Sequence, residues 1–398
     1  MKTFLLITDV PPSKYFSGGL LTEQIIRLFP SGSVACFLVM DANLPHKKPT
    51  VDLDVDAQCI TKPTENAGKR NSRILRFLLS FVSETLHIHW HCRRLVKKGV
   101  NFGKKHRADA VWCILQGQTM ITIGYEIAKS LNLPLFTQVW DHPSWWMMDR
   151  NVNIFHRLFY LKKYNKTIRA SKHCGAASWN MAEEYHNIYG VPSFPIVASL
   201  DATMAHPPAE RLSSDKTLTI GLTGQIYAKD AWNSLLASLD SVNWQISGRS
   251  VSIEVLGGSF TNNSSTERRI VYRGYVDQKR AISIMSQCDI LYCPYPFDSS
   301  LAEVAKTSFP SKLTTYLAAG RPVLFHGPDY SSPASFLKAN NTGLLCHSMS
   351  SDAILREINS LIEFPKYYEK ECINSSQTFH RHLTMDVFEA NVKKFLVW

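Results

Sequence analysis

The stretch SFPSKLTTYLAAGRPVLF, Ser308 to Phe325, holds the strongest candidate for chemistry in this chain. Pro310 and Ser311 stand where a helix should begin, and Lys312 falls in its first turn. The start of a helix carries the positive end of the backbone dipole, so a purely structural design favours an acid there. A lysine in that place fits an anion-binding turn, with the Ser311 hydroxyl and N–H either capping the helix or meeting a phosphate. The bland alternative is an exposed lysine on a frayed turn. Gly320 ends the helix and a short apolar strand follows. A weaker signal is Gly18-Gly19, after the first apolar run and before a helical pattern, where glycine lets backbone N–H groups approach a phosphate. The full G-x-G-x-x-G fingerprint is absent, which counts against a dinucleotide enzyme.

WDHPSWW, Trp140 to Trp146, follows another apolar run, and Asp141 or His142 there would face a ligand crevice. The competing reading is a turn in which Asp141 caps backbone groups and the tryptophans pack; Trp145 and Trp146 serve equally as a platform for a sugar or lipid. His87, His89 and His91 alternate inside a basic segment almost without acids, which favours a solvated or interfacial role over a metal strand. Asp52, Asp54 and Asp56 read as a solvated strand face. No H-E-x-x-H motif is present, and no metal is expected. Nine cysteines without a C-x-x-C pair argue for reduced thiols in a cytosolic compartment, against a disulfide scaffold or structural zinc.

The elements that must position these residues alternate between strand and helix. Apolar runs at Phe4–Val10, Ser33–Met40, Ala110–Leu115 and Leu135–Trp140 read as strands, with helices over about 20–29 and 121–131. A polar, proline-bearing stretch from Asp201 to Lys216 interrupts the pattern and is the linker candidate. The alternation then restarts: strands over 218–222, 251–256, 270–275, 290–293 and 323–325, and helices over 231–239, 279–287 and 312–319. Such alternation predicts parallel sheets covered on both faces. A chain of 398 residues is long enough for two such domains, which would place a ligand in a crevice at the carboxyl ends of their strands.

Charge is unevenly placed. The net charge is +11; residues 1–200 hold 25 Lys/Arg against 14 Asp/Glu, whereas the remainder balances. Residues 69–107 concentrate the excess, interleaving basic side chains with Phe81, Leu86 and Trp90. That mixture predicts contact with an anionic membrane surface, against the alternative of a solvated helical face; nucleic acid is the weakest fit. No uncharged apolar run is long enough to span a bilayer, and the opening MKTFLLITDVPPS reads as a first strand, not a signal peptide.

Taken as an ordered set, five segments resemble the retaining glycosyltransferases of family 4, the group 1 type with the GT-B fold. PPSKYFSGG is similar to the family's loop after the first strand, and GLTGQIYAKD to the turn opening its second domain, with Gly224 and Lys229 at the matching positions. VLGGS, the stretch from YRGYV to CPYP, and FPSKLTTYLAAGRPVL complete the match. The resemblance implies two Rossmann-like α/β/α domains facing a central cleft. It places an acceptor-side domain at 1–205, a donor domain at 217–378 and a crossing helix at 379–398. It implies a nucleotide-sugar donor as substrate, no cofactor, and retention by front-face substitution. Lys229 and Lys312 would meet the leaving diphosphate, with Ser311 beside them. Arg273, Tyr275 and Val276 would lie at the nucleobase, and Asp141 or His142 at the donor sugar or acceptor. The family's paired glutamates fall at Thr307 and Thr315, so both carboxylates are missing. Thr315 can still hydrogen-bond a ribose, and Glu303 lies near enough in sequence to replace the other acid.

The expected activity is therefore transfer of a sugar to a glycan or polyprenyl-linked acceptor in cell-surface polysaccharide or lipopolysaccharide assembly. The expected place is the cytoplasm, peripheral on the inner face of the membrane. A nucleotide-sugar epimerase of the same fold and a non-catalytic nucleotide- or glycan-binding protein are the rivals.

Overall fold

A computed structural model describes residues 2–13, 17–44, 48–50, 53–63, 65, 81–258 and 268–397. The chain divides into two compact units, one of residues 1–196 with 389–398, the other of residues 197–388. The first unit is built on seven strands: β1 (Phe4–Thr8), β2 (Val34–Asp41), β3 (Asp56–Lys62), β4 (Ala110–Ile114), β5 (Leu135–Val139), β6 (His173–Ala176) and β7 (Ser193–Pro195). They pair in the order β3-β2-β1-β4-β5-β6-β7, every neighbour parallel. β1, β4 and β5 are buried along their whole length. That is why they read as unbroken apolar runs: a parallel sheet covered on both faces has no polar side.

The second unit repeats the plan with β8 (Thr217–Thr223), β9 (Gln245–Ile246), β10 (Arg249–Leu256), β11 (Ile270–Tyr272), β12 (Ile290–Pro294), β13 (Val323–His326) and β14 (Leu344–Cys346). The parallel order is β11-β10-β8-β12-β13-β14, with β9 antiparallel on β10. Its core joins Leu218, Ile220 and Leu222 of β8 to Trp232, Leu235 and Leu239 of the helix Lys229–Ser241.

The units divide at 196/197 and 388/389, not at the expected 205/217 and 379. The stretch read as a linker is tied into the second unit: Leu200 pairs with Thr384, the His206 N–H donates to Ala318 O at 2.8 Å, and the Ser213 N–H donates to Asp289 Oδ1 at 2.8 Å. The last helix runs Met385–Leu396, and its Phe395 packs on Phe136 and accepts a contact from His173 Nδ1 at 2.9 Å. Among the described residues no helix is long and apolar enough to cross a membrane.

Asp56 opens β3, an edge strand exposed over most of its length, and Asp54 is exposed just before it. Both fit the solvated reading; Asp52 lies outside the described residues.

Candidate functional site

In the second unit, three loops at the carboxyl ends of parallel strands are laced together by backbone hydrogen bonds. The Gly224 N–H, after β8, donates to Leu256 O at 2.9 Å; the Gly257 N–H, after β10, donates to Gly274 O at 2.8 Å. Gly224, Gly257 and Gly274 all hold positive φ, a conformation that suits residues without a side chain. Crevices outside strand carboxyl ends are where open α/β sheets bind ligands.

The helix Lys312–Ala318 is anchored to this edge from below. The Tyr316 hydroxyl accepts from the Thr223 N–H at 2.8 Å and donates to Tyr292 O at 3.0 Å. Lys312 extends from the first turn to Gln225 O at 3.2 Å and lies 5.8 Å from the centre of the Tyr227 ring. It is only 8% exposed, and no carboxylate among the described residues pairs with it. Burial holds its ammonium below the ordinary lysine range. A buried cation satisfied by one carbonyl is costly to keep unless something negative joins it. The frayed-turn alternative is thereby excluded. Ser311, by contrast, is exposed and its side chain makes no capping bond.

The other residues expected at the donor are spread over the second unit. Lys229 is exposed as the first residue of its helix, and the neighbouring Asp230 accepts from the Phe297 N–H at 2.9 Å. Thr315 Oγ1 accepts from Gln278 Nε2 at 2.8 Å, which ties the helix to the segment after Gly274. Gln278 was not singled out from sequence. Thr307 is buried and donates to the Glu303 carbonyl at 2.7 Å, so Glu303 sits one turn from Thr307 with its side chain half-buried. Arg273 is committed to Glu254, with contacts of 2.5 and 3.0 Å. Tyr275 is 82% exposed, and Val276 beside it is half-buried.

In the first unit the expected residues take local roles. Gly18 and Gly19 lie inside the helix Ser17–Ile26, not ahead of it. A Cβ on Gly18 would stand 2.4 Å from the Trp140 ring, and one on Gly19 would stand 2.6 Å from Pro11 O. Close packing alone demands both glycines. His142, not Asp141, caps the helix Pro143–Asp149: its Nδ1 lies 2.7 Å from Ser144 Oγ and accepts from the Ser144 N–H at 3.4 Å. Asp141 is half-buried beside it. Trp146 is buried in the core, whereas Trp145 packs against that core and stays half-buried.

The first sheet carries a buried charge network that the sequence reading missed. Asp9 follows β1 and Lys62 ends β3; Lys62 Nζ lies 3.4 Å from Asp9 Oδ2 and 2.7 Å from Glu65 Oε1. Glu65 also accepts the Gln118 and Thr119 N–H groups at 3.0 and 2.9 Å, capping from a distance the helix Gly117–Leu131. Burial pushes the Glu65 carboxyl up, but Lys62 and the Thr119 donors outweigh it and hold the pKa at about 2. Asp9 goes the other way, raised chiefly by burial. Gly117 has φ +77°, and a Cβ there would lie 2.5 Å from Glu65 Oε2, so only glycine admits the carboxylate. His87 adds its Nε2 to Thr119 Oγ1 at 3.0 Å, and burial lowers its pKa to about 4, so it is a neutral partner in this network. A charged residue directly after a buried strand was the available signal.

No family model and no curated protein matches the sequence. Solved structures do match the fold over the whole chain. Sucrose-phosphate synthase from Thermosynechococcus elongatus aligns with a TM-score of 0.66 at 13% identity, covering 99% of this chain and 98% of its own. HepE of Anabaena, in complex with UDP-glucose, aligns at 0.63 and 12% identity, covering 99% of each chain. The lipopolysaccharide outer core galactosyltransferase WaaB aligns at 0.62 and 14%, covering 100% and 99%. Two parallel-dominated, Rossmann-like α/β sheets with this full-length correspondence give the chain the GT-B fold.

Proposed function

We propose that this protein is a glycosyltransferase that moves a sugar from a nucleotide-sugar donor to a glycan or polyprenyl-linked acceptor, with retention at the anomeric carbon. The observation that carries the reading is Lys312, a buried ammonium without a carboxylate partner, held at the carboxyl edge of a parallel sheet. Fold neighbours that include a UDP-glucose complex and a lipopolysaccharide galactosyltransferase support it.

The chemistry follows from charge. As the donor's C1–O bond breaks, its electron pair goes to the leaving nucleoside diphosphate, and an acceptor hydroxyl bonds to C1 on the same face. The hydroxyl proton passes to a diphosphate oxygen. Lys312, with Lys229 on the same edge, meets the negative charge that develops, and a pre-placed cation in a dry setting stabilises that charge without reorganising. The reaction as proposed asks for no divalent metal. Gln278 and Thr315, bonded to each other at 2.8 Å, would in this reading hold donor hydroxyls where a glutamate is missing. Cell-surface polysaccharide or lipopolysaccharide assembly is the proposed setting, at the cytoplasmic face of a membrane met through the basic stretch 69–107.

The test is a thermal-shift panel of UDP, GDP, ADP and dTDP, with and without sugars and without added metal. Ligand at about 100 times its dissociation constant adds ~2.7 kcal/mol to stability, a shift of several degrees. Stabilisation by one nucleoside diphosphate, followed by acceptor-dependent release of it, supports the reading. Donor turnover without acceptor would indicate the epimerase, binding without turnover the binding protein, and no shift with any diphosphate would refute a nucleotide site.

A further inference from the structure

One outer face of the first unit is apolar and basic together. Phe81, Leu86 and Trp90 are 40%, 61% and 63% exposed. On the helix Ile154–Arg169, Ile154, Phe155 and Leu158 are 53%, 61% and 64% exposed. The Phe81 and Phe155 rings meet edge-on with centroids 6.4 Å apart, and Thr85 Oγ1 reaches His156 Nε2 at 3.2 Å, so both sets belong to one surface. Clusters of large apolar side chains left in water mark interaction sites.

Charge decides what the surface fits. Phe155, Leu158, Lys162, Lys166 and Arg169 recur at spacings of three and four residues, so they share one face of the helix. The helix carries Arg157, Lys162, Lys163, Lys166 and Arg169 and not one acid. Lys163 is paired with Glu126 at 2.7 Å, whereas the Lys166 ammonium lies over the Tyr125 ring at 4.8 Å. A groove of about 710 Å³ opens between Tyr125, Leu158, Lys162 and Arg169, roomy enough for a headgroup. On the neighbouring segment Arg94 stands over the exposed Trp90 ring at 4.8 Å. Glu84 is the one acid of residues 81–105, and burial raises its pKa to about 7, which weakens its charge near neutrality.

We propose that this face docks on an anionic bilayer, with Ile154, Phe155 and Leu158 entering the headgroup boundary and Lys162, Lys166 and Arg169 meeting lipid phosphates. An interfacial helix combines these two features: aromatic and aliphatic side chains that insert, and cations at the level of the phosphates. The inference rests on the membrane-associated reading proposed for this protein and deepens it, since it joins the described part of the stretch 69–107 (residues 69–80 lie outside the described residues) to a helix that the charge pattern did not include.

The experiment floats the full chain on phosphatidylcholine vesicles with and without phosphatidylglycerol. Two variants probe the helix: Ile154→Ser with Phe155→Ser and Leu158→Ser, and Lys162→Gln with Lys166→Gln and Arg169→Gln. A third, Arg93→Gln with Arg94→Gln, Lys97→Gln and Lys98→Gln, probes the basic stretch 69–107. All altered side chains are exposed or half-buried, and thermal unfolding checks that each variant folds. The expected result is binding only to anionic vesicles, reduced roughly tenfold or more by either helix variant. Nucleoside-diphosphate stabilisation should be unchanged in both, which separates this inference from the donor-site reading. Full vesicle binding by both helix variants overturns it, as does a wild-type chain that ignores anionic vesicles. Self-association abolished by the serine variant would also overturn it, by making the face a protein interface.

Discussion

Replacing Lys312 by methionine should raise stability and destroy donor binding together. The side chain is 8% exposed and has one polar partner, Gln225 O at 3.2 Å. Methionine has similar length and carries no charge to desolvate. Exchanging a buried ion for a well-packed apolar group is commonly worth ~1–4 kcal/mol, offset here by roughly 1 kcal/mol for the lost bond to Gln225. The net is a gain of roughly 0–3 kcal/mol, or up to about 12 °C in Tm for a unit of this size. The loss on the binding side is larger. Removing one member of a buried charge pair costs ~2–5 kcal/mol, so affinity for the correct nucleoside diphosphate should fall about 30-fold or more. Calorimetric titration of wild type and Lys312→Met with UDP and GDP reads the second effect, and denaturant unfolding without ligand reads the first. A variant that binds as tightly as wild type would remove Lys312 from the site. One that is less stable without ligand would refute the claim that the cation is uncompensated.

Two further predictions concern buried acids of the first unit. Glu65→Gln leaves Lys62 with only Asp9 at 3.4 Å and turns an amide donor toward the Thr119 donors, so it should cost ~3–5 kcal/mol in urea unfolding. Because the folded pKa of Glu65 is depressed to about 2, its contribution is present above the usual carboxyl range and is lost as pH falls toward 2; an equal pH slope in the variant would refute the assignment. Glu84 has the opposite sign. Burial raises its pKa to about 7, so stability is full below the usual carboxyl range and declines as pH rises through 7. Glu84→Gln keeps an acceptor for the Asn153 N–H, 3.2 Å away, and should be about 2 kcal/mol more stable than wild type at pH 8, with the advantage shrinking towards pH 5. A variant that loses stability at pH 8 would contradict this.

What could be read from the sequence follows from how each residue is held. β1, β2 and β4 were legible because both of their faces are buried, which leaves continuous apolar runs. Edge strand β3 was not located, since it exposes most of its side chains and ends in a buried lysine. Lys312 was legible because a cation in a first turn opposes a local rule, and the rule needs no knowledge of the fold. Its partner Gln225 and the Gln278–Thr315 bond were not, because they join positions 87 and 37 residues apart through the order of the strands. Gly18 and Gly19 illustrate the converse: glycine near a helix start fits a phosphate loop and a tight packing contact alike, and here Trp140, distant in sequence, crowds Gly18 while the backbone of Pro11 crowds Gly19.

The same argument explains why the helix Ile154–Arg169 escaped notice. Periodicity separates an apolar face from a polar one, but here apolar and basic side chains follow one another along a single exposed face. Their contributions cancel in any measure of amphipathicity, and the helix reads as an ordinary basic segment. Its two halves become meaningful only with the fold, when Phe155 lies against Phe81 and the cations continue along the same side. The first unit keeps these cations at its surface, paired with rings and a groove, whereas the second unit buries its critical lysine. Those placements suit two anions of different kinds. A broad, fluid array of headgroups, as proposed for the first unit, would be met by exposed charges on flexible stems; a single diphosphate with a bond to break, as proposed for the second, would be met by one ammonium fixed before it arrives.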